Sequence, residues 1–128
     1  MKIQEIIMEN YTAYVLDQGS RDLLLSQFPP KYEKVVGHHI TQQFGIPSGT
    51  PAPDAAKAKV IGYIDSGDGL EALVVSVNGS SRRPDGKVYH ITWSLEGKYK
   101  PVDSNNLIAS KKYTMVKAIP INTTPQVL

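Results

Sequence analysis

The chain has 128 residues, no cysteine and a formal net charge of +2, and 41% of its residues are hydrophobic. This length and composition fit a single domain, residues 1–128, with a substantial core. The small net charge argues against wrapping of duplex DNA, and the lack of cysteine excludes disulfides and thiol nucleophiles. No signal peptide or long apolar run is present, so we expect a cytoplasmic monomer without a membrane partner.

The first predicted elements are a strand and a short helix. Residues 11–16 are rich in β-forming side chains and end at a turn over residues 17–19. Ser20 is a candidate N-cap for a helix over residues 21–28, and the pair Pro29-Pro30 ends it.

Strands dominate the rest of the chain. The predicted strands cover residues 35–44, 57–64, 70–77, 88–95 and 113–121, and a turn over residues 65–69 joins two of them as a hairpin. Asp103 or Ser104 caps a helix that runs to Ala109, and residues 122–128 are expected to form a loose tail. The predicted fold class is α+β: a bilobed, mainly antiparallel sheet with short helices and pseudo-twofold half-units around a central cleft.

The tripeptide His-Ile-Thr occurs twice, at residues 39–41 and 90–92. In a strand, residues i and i+2 share a face, so each histidine should point the same way as its threonine. Flanking residues are also similar, which predicts two related half-units. Two such units facing each other would place two imidazoles and two hydroxyls in one cleft.

Alternation extends this prediction to neighbouring residues. Tyr89, Ile91, Trp93 and Leu95 should form an apolar face, with His90, Thr92 and Ser94 opposite. In the first copy, the same reasoning groups His39, Thr41 and Gln43, with His38 turned away from them on the side of Ile40.

This residue set suits chemistry at phosphorus. Cleaving a phosphodiester requires one group that accepts a proton from water and another that gives a proton to the departing oxygen. Two histidines can fill both roles near neutral pH, and threonine hydroxyls can donate hydrogen bonds to phosphate oxygens. We expect no metal ion and no cofactor, because adjacent His38 and His39 should point to opposite faces and cannot share a metal.

On these residues the chain resembles the 2H phosphoesterases, whose signature is two His-x-Thr/Ser motifs on strands that face a common cleft. His39, Thr41, His90 and Thr92 match that motif. The resemblance implies cleavage of 2′,3′-cyclic phosphates, 2′-5′ linkages or cyclic (oligo)nucleotides, with RNA ends or nucleotides as partners. Two alternatives remain: a non-catalytic protein that sequesters a nucleotide in the same cleft, and an interaction domain in which the repeats are ordinary strands.

Further residues are candidates for substrate binding, each with a structural alternative. Arg82 and Arg83 precede the second motif and could bind phosphate, or they could form a solvated turn. Tyr14 could face the cleft or pack in the core. The segment after the second motif would lie at the cleft rim, where it could contact a base or phosphate or simply form a turn and helix cap; its candidates are Tyr99, Lys100, Ser104 and Asn105.

Overall fold

The computed structural model describes residues 10–128, which contain two helices and eight strands. Neither helix is long and apolar enough to cross a membrane in this part of the chain. The elements in chain order are β1 (Tyr11–Leu16), α1 (Gln18–Gln27), β2 (Lys34–Val35), β3 (His39–Phe44), β4 (Ala58–Asp65), β5 (Leu70–Val77), β6 (His90–Leu95), α2 (Asp103–Ser110), β7 (Thr114–Ile121) and β8 (Thr123–Val127).

The strands form two antiparallel sheets. One has three strands in the order β3-β1-β8, and the other has five in the order β2-β6-β5-β4-β7. The predicted α+β class with mainly antiparallel sheet is confirmed. The two His-Ile-Thr tripeptides lie on different sheets, the first on the edge strand β3 and the second on the interior strand β6.

Two apolar clusters hold the sheets and helices together. The larger joins both sheets and α1, and its members include Tyr14, Leu24, Ile40, Ile91 and Trp93. The smaller packs α2 against the five-stranded sheet. Alternation along β5 separates the two clusters, since neighbouring strand residues face opposite sides of a sheet: the larger takes Leu73 and Val75, the smaller Ala72 and Val74.

The predicted loose tail is wrong. Residues 123–127 form β8, which pairs with residues 12–16 of β1. The sequence signal is weak there because Thr-Thr-Pro-Gln-Val lacks a clear alternating pattern. Its Pro125 is compatible with an edge strand, where one side of the backbone needs no partner.

The predicted helix N-caps also differ from those observed. Helix α1 begins at Gln18 with Asp17 at its N-cap, and Ser20 is buried inside the helix, where its hydroxyl accepts a hydrogen bond from the Asn122 amide at 2.7 Å. Helix α2 has Val102 at its N-cap without a side-chain cap. Tertiary contacts replace the capping roles predicted for both serines, since Ser20 bonds to Asn122 and the Ser104 hydroxyl bonds to the Thr92 hydroxyl.

The chain passes from one sheet to the other at Gly37. Its amide donates to the Thr92 carbonyl of β6 at 3.0 Å, whereas the next carbonyl, that of His38, accepts from the Leu16 amide of β1 at 3.0 Å. Gly37 has a φ of +46°, and a Cβ placed there would lie 2.9 Å from Cζ3 of Trp93. The crossing therefore requires glycine both for its backbone conformation and for its close approach to the core.

We predict that Gly37→Ala lowers the free energy of unfolding by about 3 kcal/mol, because left-handed backbone strain adds to overpacking against Trp93. Gly45→Ala is the matched control, since Gly45 also has positive φ, +72°, but a Cβ placed there would have no atom of a non-adjacent residue within 4 Å. It should cost only about 1 kcal/mol. Urea unfolding of both variants measures the difference, and equal losses would contradict the role of the Trp93 contact.

Candidate functional site

The middle residues of the two tripeptides determine where the histidines point. Ile40 and Ile91 are both fully buried in the same apolar cluster, although they belong to different sheets. Since strand neighbours point to opposite faces, the histidine and threonine on either side of each isoleucine face away from that cluster. One core contact on each strand therefore directs four polar side chains to a common side of the molecule.

A β-bulge follows the first tripeptide. Consecutive β1 residues pair with Gln43 and Thr41, which leaves Gln42 as an extra residue whose side-chain oxygen accepts from the Thr12 hydroxyl at 2.6 Å. An extra residue reverses the alternation of those after it. Gln43, predicted to share a face with Thr41, is therefore replaced at the site by Phe44.

A second bulge follows the second tripeptide. Consecutive β5 residues pair with Ser94 and Thr92, which leaves Trp93 as the extra residue. The prediction that Ser94 shares a face with His90 and Thr92 is wrong for this reason. Its hydroxyl instead donates to the carboxylate of Glu71, which is 1% exposed.

His39, Thr41, His90 and Thr92 all line one cavity of about 330 Å³. Its walls come from β1, β3, β6, the turn before β6 and the start of α2. The remaining lining residues are Tyr11, Val36, Phe44, Arg83, Lys87, Pro101, Val102 and Asn105. No group of three or more His, Asp or Glu side chains in residues 10–128 is placed to hold a metal ion.

Each imidazole makes a contact through Nδ1. In His90, Nδ1 lies 2.9 Å from the Val88 carbonyl oxygen; since a carbonyl only accepts, Nδ1 carries the proton and Nε2 is left for a ligand. In His39, Nδ1 lies 3.0 Å from Nδ1 of His38. The prediction that His38 is turned away from His39 is therefore wrong. His38 precedes β3, so strand alternation does not extend to it.

The cavity favours neutral imidazoles. Burial, with the His38 and His90 imidazoles as smaller causes, lowers the pKa of His39 from 6.5 to about 4. Burial is also the main cause that lowers the pKa of His90; the nearby Arg83 charge adds to this effect, whereas the hydrogen bond to the Val88 carbonyl opposes it. Both side chains can therefore accept a proton at neutral pH.

One wall of the cavity is cationic. Arg83 is 6% exposed, and its guanidinium donates to the Asp85 carboxylate at 2.7 Å, while its Nε has no hydrogen-bond partner among the described residues. Lys87 lies on the same wall. The Nε of Arg83, unpartnered within residues 10–128, and the charge of Lys87 make this wall suited to an anion, although the Arg83 charge itself is paired with Asp85.

The Thr92 hydroxyl attaches α2 to the site. It donates to the Pro101 carbonyl at 3.1 Å, and because a hydroxyl has one proton, the Ser104 hydroxyl donates to it at 2.8 Å. Ser104 is fully buried and supports Thr92 rather than lining the cavity, whereas Asn105, one residue later, does line it.

Besides Ser104, four predicted binding residues lie outside this cavity. Tyr14 packs in the larger apolar cluster, and Arg82 lines a second cavity. The rim position predicted for Tyr99 and Lys100 is wrong: the Tyr99 hydroxyl donates to Asp68 at 2.7 Å beside a third cavity, and Lys100 lines none of the three.

Sequence reasoning missed the aromatic wall. Tyr11 pairs with Phe44 across β1 and β3, and their rings stack with centroids 5.6 Å apart at 24°. The Tyr11 ring also lies 5.4 Å from that of His39. Phe44 is 61% exposed. Only the bulge and the strand pairing reveal this surface, and neither can be read from residue spacing.

Comparison with protein-family models, curated proteins and solved structures finds no match to this chain.

The lowered histidine pKa values predict a loss of stability in acid. A histidine whose pKa is lower in the folded than in the unfolded state destabilises the fold as pH falls below its unfolded value. For His39 this window runs from about pH 6.5 down to about 4. We expect a loss on the order of 1 kcal/mol between pH 7 and pH 5, and a smaller loss in His39→Gln. Urea unfolding at both pH values tests this, and equal losses in the two proteins would contradict it.

Proposed function

We propose that the protein is a phosphodiesterase that hydrolyses nucleotide phosphodiesters, including 2′,3′-cyclic phosphates and 2′-5′ or cyclic (oligo)nucleotide bonds, by acid/base catalysis with two histidines and no catalytic metal. The observation that carries the proposal is the convergence of His39, Thr41, His90 and Thr92 on one cavity although they belong to two sheets. The motif resemblance to 2H phosphoesterases supports the same chemistry.

In this proposal each histidine performs one proton transfer. One neutral imidazole accepts a proton from the attacking water, the water oxygen bonds to phosphorus, and the second imidazole protonates the departing ribose oxygen. The products are a phosphomonoester and a free hydroxyl. An entering phosphate raises the pKa of both imidazoles, because its negative charge stabilises the protonated form. Substrate binding therefore favours protonation of the histidine that acts as the acid.

In this proposal Lys87 balances charge on the phosphate, and Arg83, whose own charge is paired with Asp85, donates a hydrogen bond from its Nε, which has no partner among the described residues. As the transition state forms, negative charge grows on the non-bridging oxygens, and pre-positioned cations and hydroxyl donors stabilise it. The burial of Arg83 strengthens its effect, because little water screens it. Thr41 lines the same cavity, and in this proposal its hydroxyl donates to the same oxygens.

The aromatic wall supports a nucleotide as the substrate. The exposed face of Phe44, backed by Tyr11, offers a surface on which a base can stack. A volume of about 330 Å³ is at the lower end for small-ligand sites. It suits one nucleotide unit at the reacting phosphate.

We predict that wild-type protein in excess EDTA cleaves at least one of three substrates: a nucleoside 2′,3′-cyclic phosphate, a 2′-5′ dinucleotide or a cyclic dinucleotide. His39→Ala and His90→Ala should each lower kcat by at least about 100-fold, because each removes one proton transfer. The double variant should be hardly slower than either single variant, since the two histidines act as a unit.

Chromatographic product analysis gives the rates, and circular dichroism verifies the folds. Tight binding of all three substrates without turnover would favour the sequestering alternative. If the protein neither binds nor cleaves any of the three substrates, both functions are refuted.

The pH dependence gives a second test. For the free enzyme, kcat/KM should be bell-shaped, because one histidine must be neutral and the other protonated. Its maximum should lie below pH 6.5, since both pKa values are lowered. His38→Gln should move the limb that belongs to His39 to higher pH, because the His38 imidazole helps to lower that pKa. A profile that is flat from about pH 5 to 8 would contradict the two-histidine mechanism.

A further inference from the structure

A second cavity of about 310 Å³ lies next to the proposed active site. The two cavities share Lys87 and Asn105 as lining residues, so they adjoin along one wall. The second is lined further by Arg82, Gly86, Val88, Ile108 and Ala109. A chain-like ligand held in the first cavity could therefore continue into the second.

The turn before β6 serves both cavities. The Arg83 amide donates to the Lys87 carbonyl at 2.7 Å, and Arg82 forms an isolated bridge with Val88, so the segment is a narrow hairpin. Adjacent residues of an extended segment point to opposite sides. Arg83 accordingly lines the first cavity and Arg82 the second.

The second cavity has positive charge that the described residues do not balance. Arg83 is paired with Asp85, but neither Arg82 nor Lys87 forms a salt bridge with a carboxylate of residues 10–128. The Arg82 guanidinium donates to the Gly86 carbonyl at 2.9 Å, which holds it at the hairpin and leaves its charge available. The other wall, from Val88, Ile108 and Ala109, is apolar.

From this arrangement we propose that the second cavity binds the phosphodiester next to the one that is cleaved, with Arg82 as its phosphate ligand and Lys87 between the two phosphates. The preferred substrate is then a dinucleotide or longer oligonucleotide rather than a mononucleotide. This inference rests on the proposed function and specifies its substrate class. An apolar wall beside a cation fits the sugar and phosphate of a neighbouring nucleotide.

The test compares a nucleoside 2′,3′-cyclic monophosphate with two substrates that carry a second phosphate. One is a dinucleotide ending in a 2′,3′-cyclic phosphate, which has the same reacting bond, and the other is a cyclic dinucleotide, which has an internucleotide bond. Wild type should have the higher kcat/KM for at least one of the two dinucleotides. Arg82→Gln should lower that value about tenfold more than the value for the mononucleotide, because it removes a charge-assisted hydrogen bond. Arg82→Lys should restore part of the preference, since it keeps the charge.

Lys100→Gln is the matched control, because it makes the same change of charge outside both cavities. It should leave the ratio of the two kcat/KM values unchanged. If Arg82→Gln affects all three substrates equally while the mononucleotide is cleaved, the inference is refuted and the proposed function stands. If wild type cleaves none of the three, the inference is refuted; if it also leaves a 2′-5′ dinucleotide intact, the proposed function fails as well.

Discussion

The structure depends on the burial of two isoleucines, Ile40 and Ile91, in one apolar cluster. Each is the centre of a His-Ile-Thr tripeptide, and each belongs to a different sheet. Burying each of these side chains contributes about 2 kcal/mol. Because neighbouring strand residues point to opposite faces, this burial also fixes the direction of the histidine and threonine beside each isoleucine. The polar residues on either side have no freedom to point elsewhere while the isoleucines stay buried.

The same cavity brings together groups that favour an anionic ligand. A half-buried imidazole, His39, and a buried one, His90, both have lowered pKa values, and the buried guanidinium of Arg83 and Lys87 lie beside them. Burial costs Arg83 hydration that its ion pair with Asp85 offsets only in part, since its Nε has no partner among the described residues, and a bound phosphate supplies one. Proton affinity, charge and position are thus coupled, since the ligand that the cations attract is also the one that raises the pKa of the histidines.

Much of the fold and the central part of the site could be predicted from local patterns. The strands over residues 11–16 and 70–77 follow from β-rich runs between turns, and the shared direction of His39 and Thr41 follows from alternation. The bulges at Gln42 and Trp93 could not be predicted, because they depend on pairing with distant strands. For the same reason alternation places Ser94 on the wrong face and does not reveal the Tyr11–Phe44 wall. The positions of Tyr99 and Lys100 relative to the cavity could not be predicted, because the path of a loop depends on tertiary contacts.

The measurement that most directly tests whether the two histidines serve one phosphate is a ¹⁵N NMR titration of the imidazole nitrogens with a nucleoside 2′-monophosphate, the kind of product the proposed reaction releases. Shared binding predicts that Nε2 of His39 and Nε2 of His90 shift together along one saturation curve and that the pKa of both imidazoles rises. A shift of only one imidazole, or two curves with different midpoints, would contradict a common site.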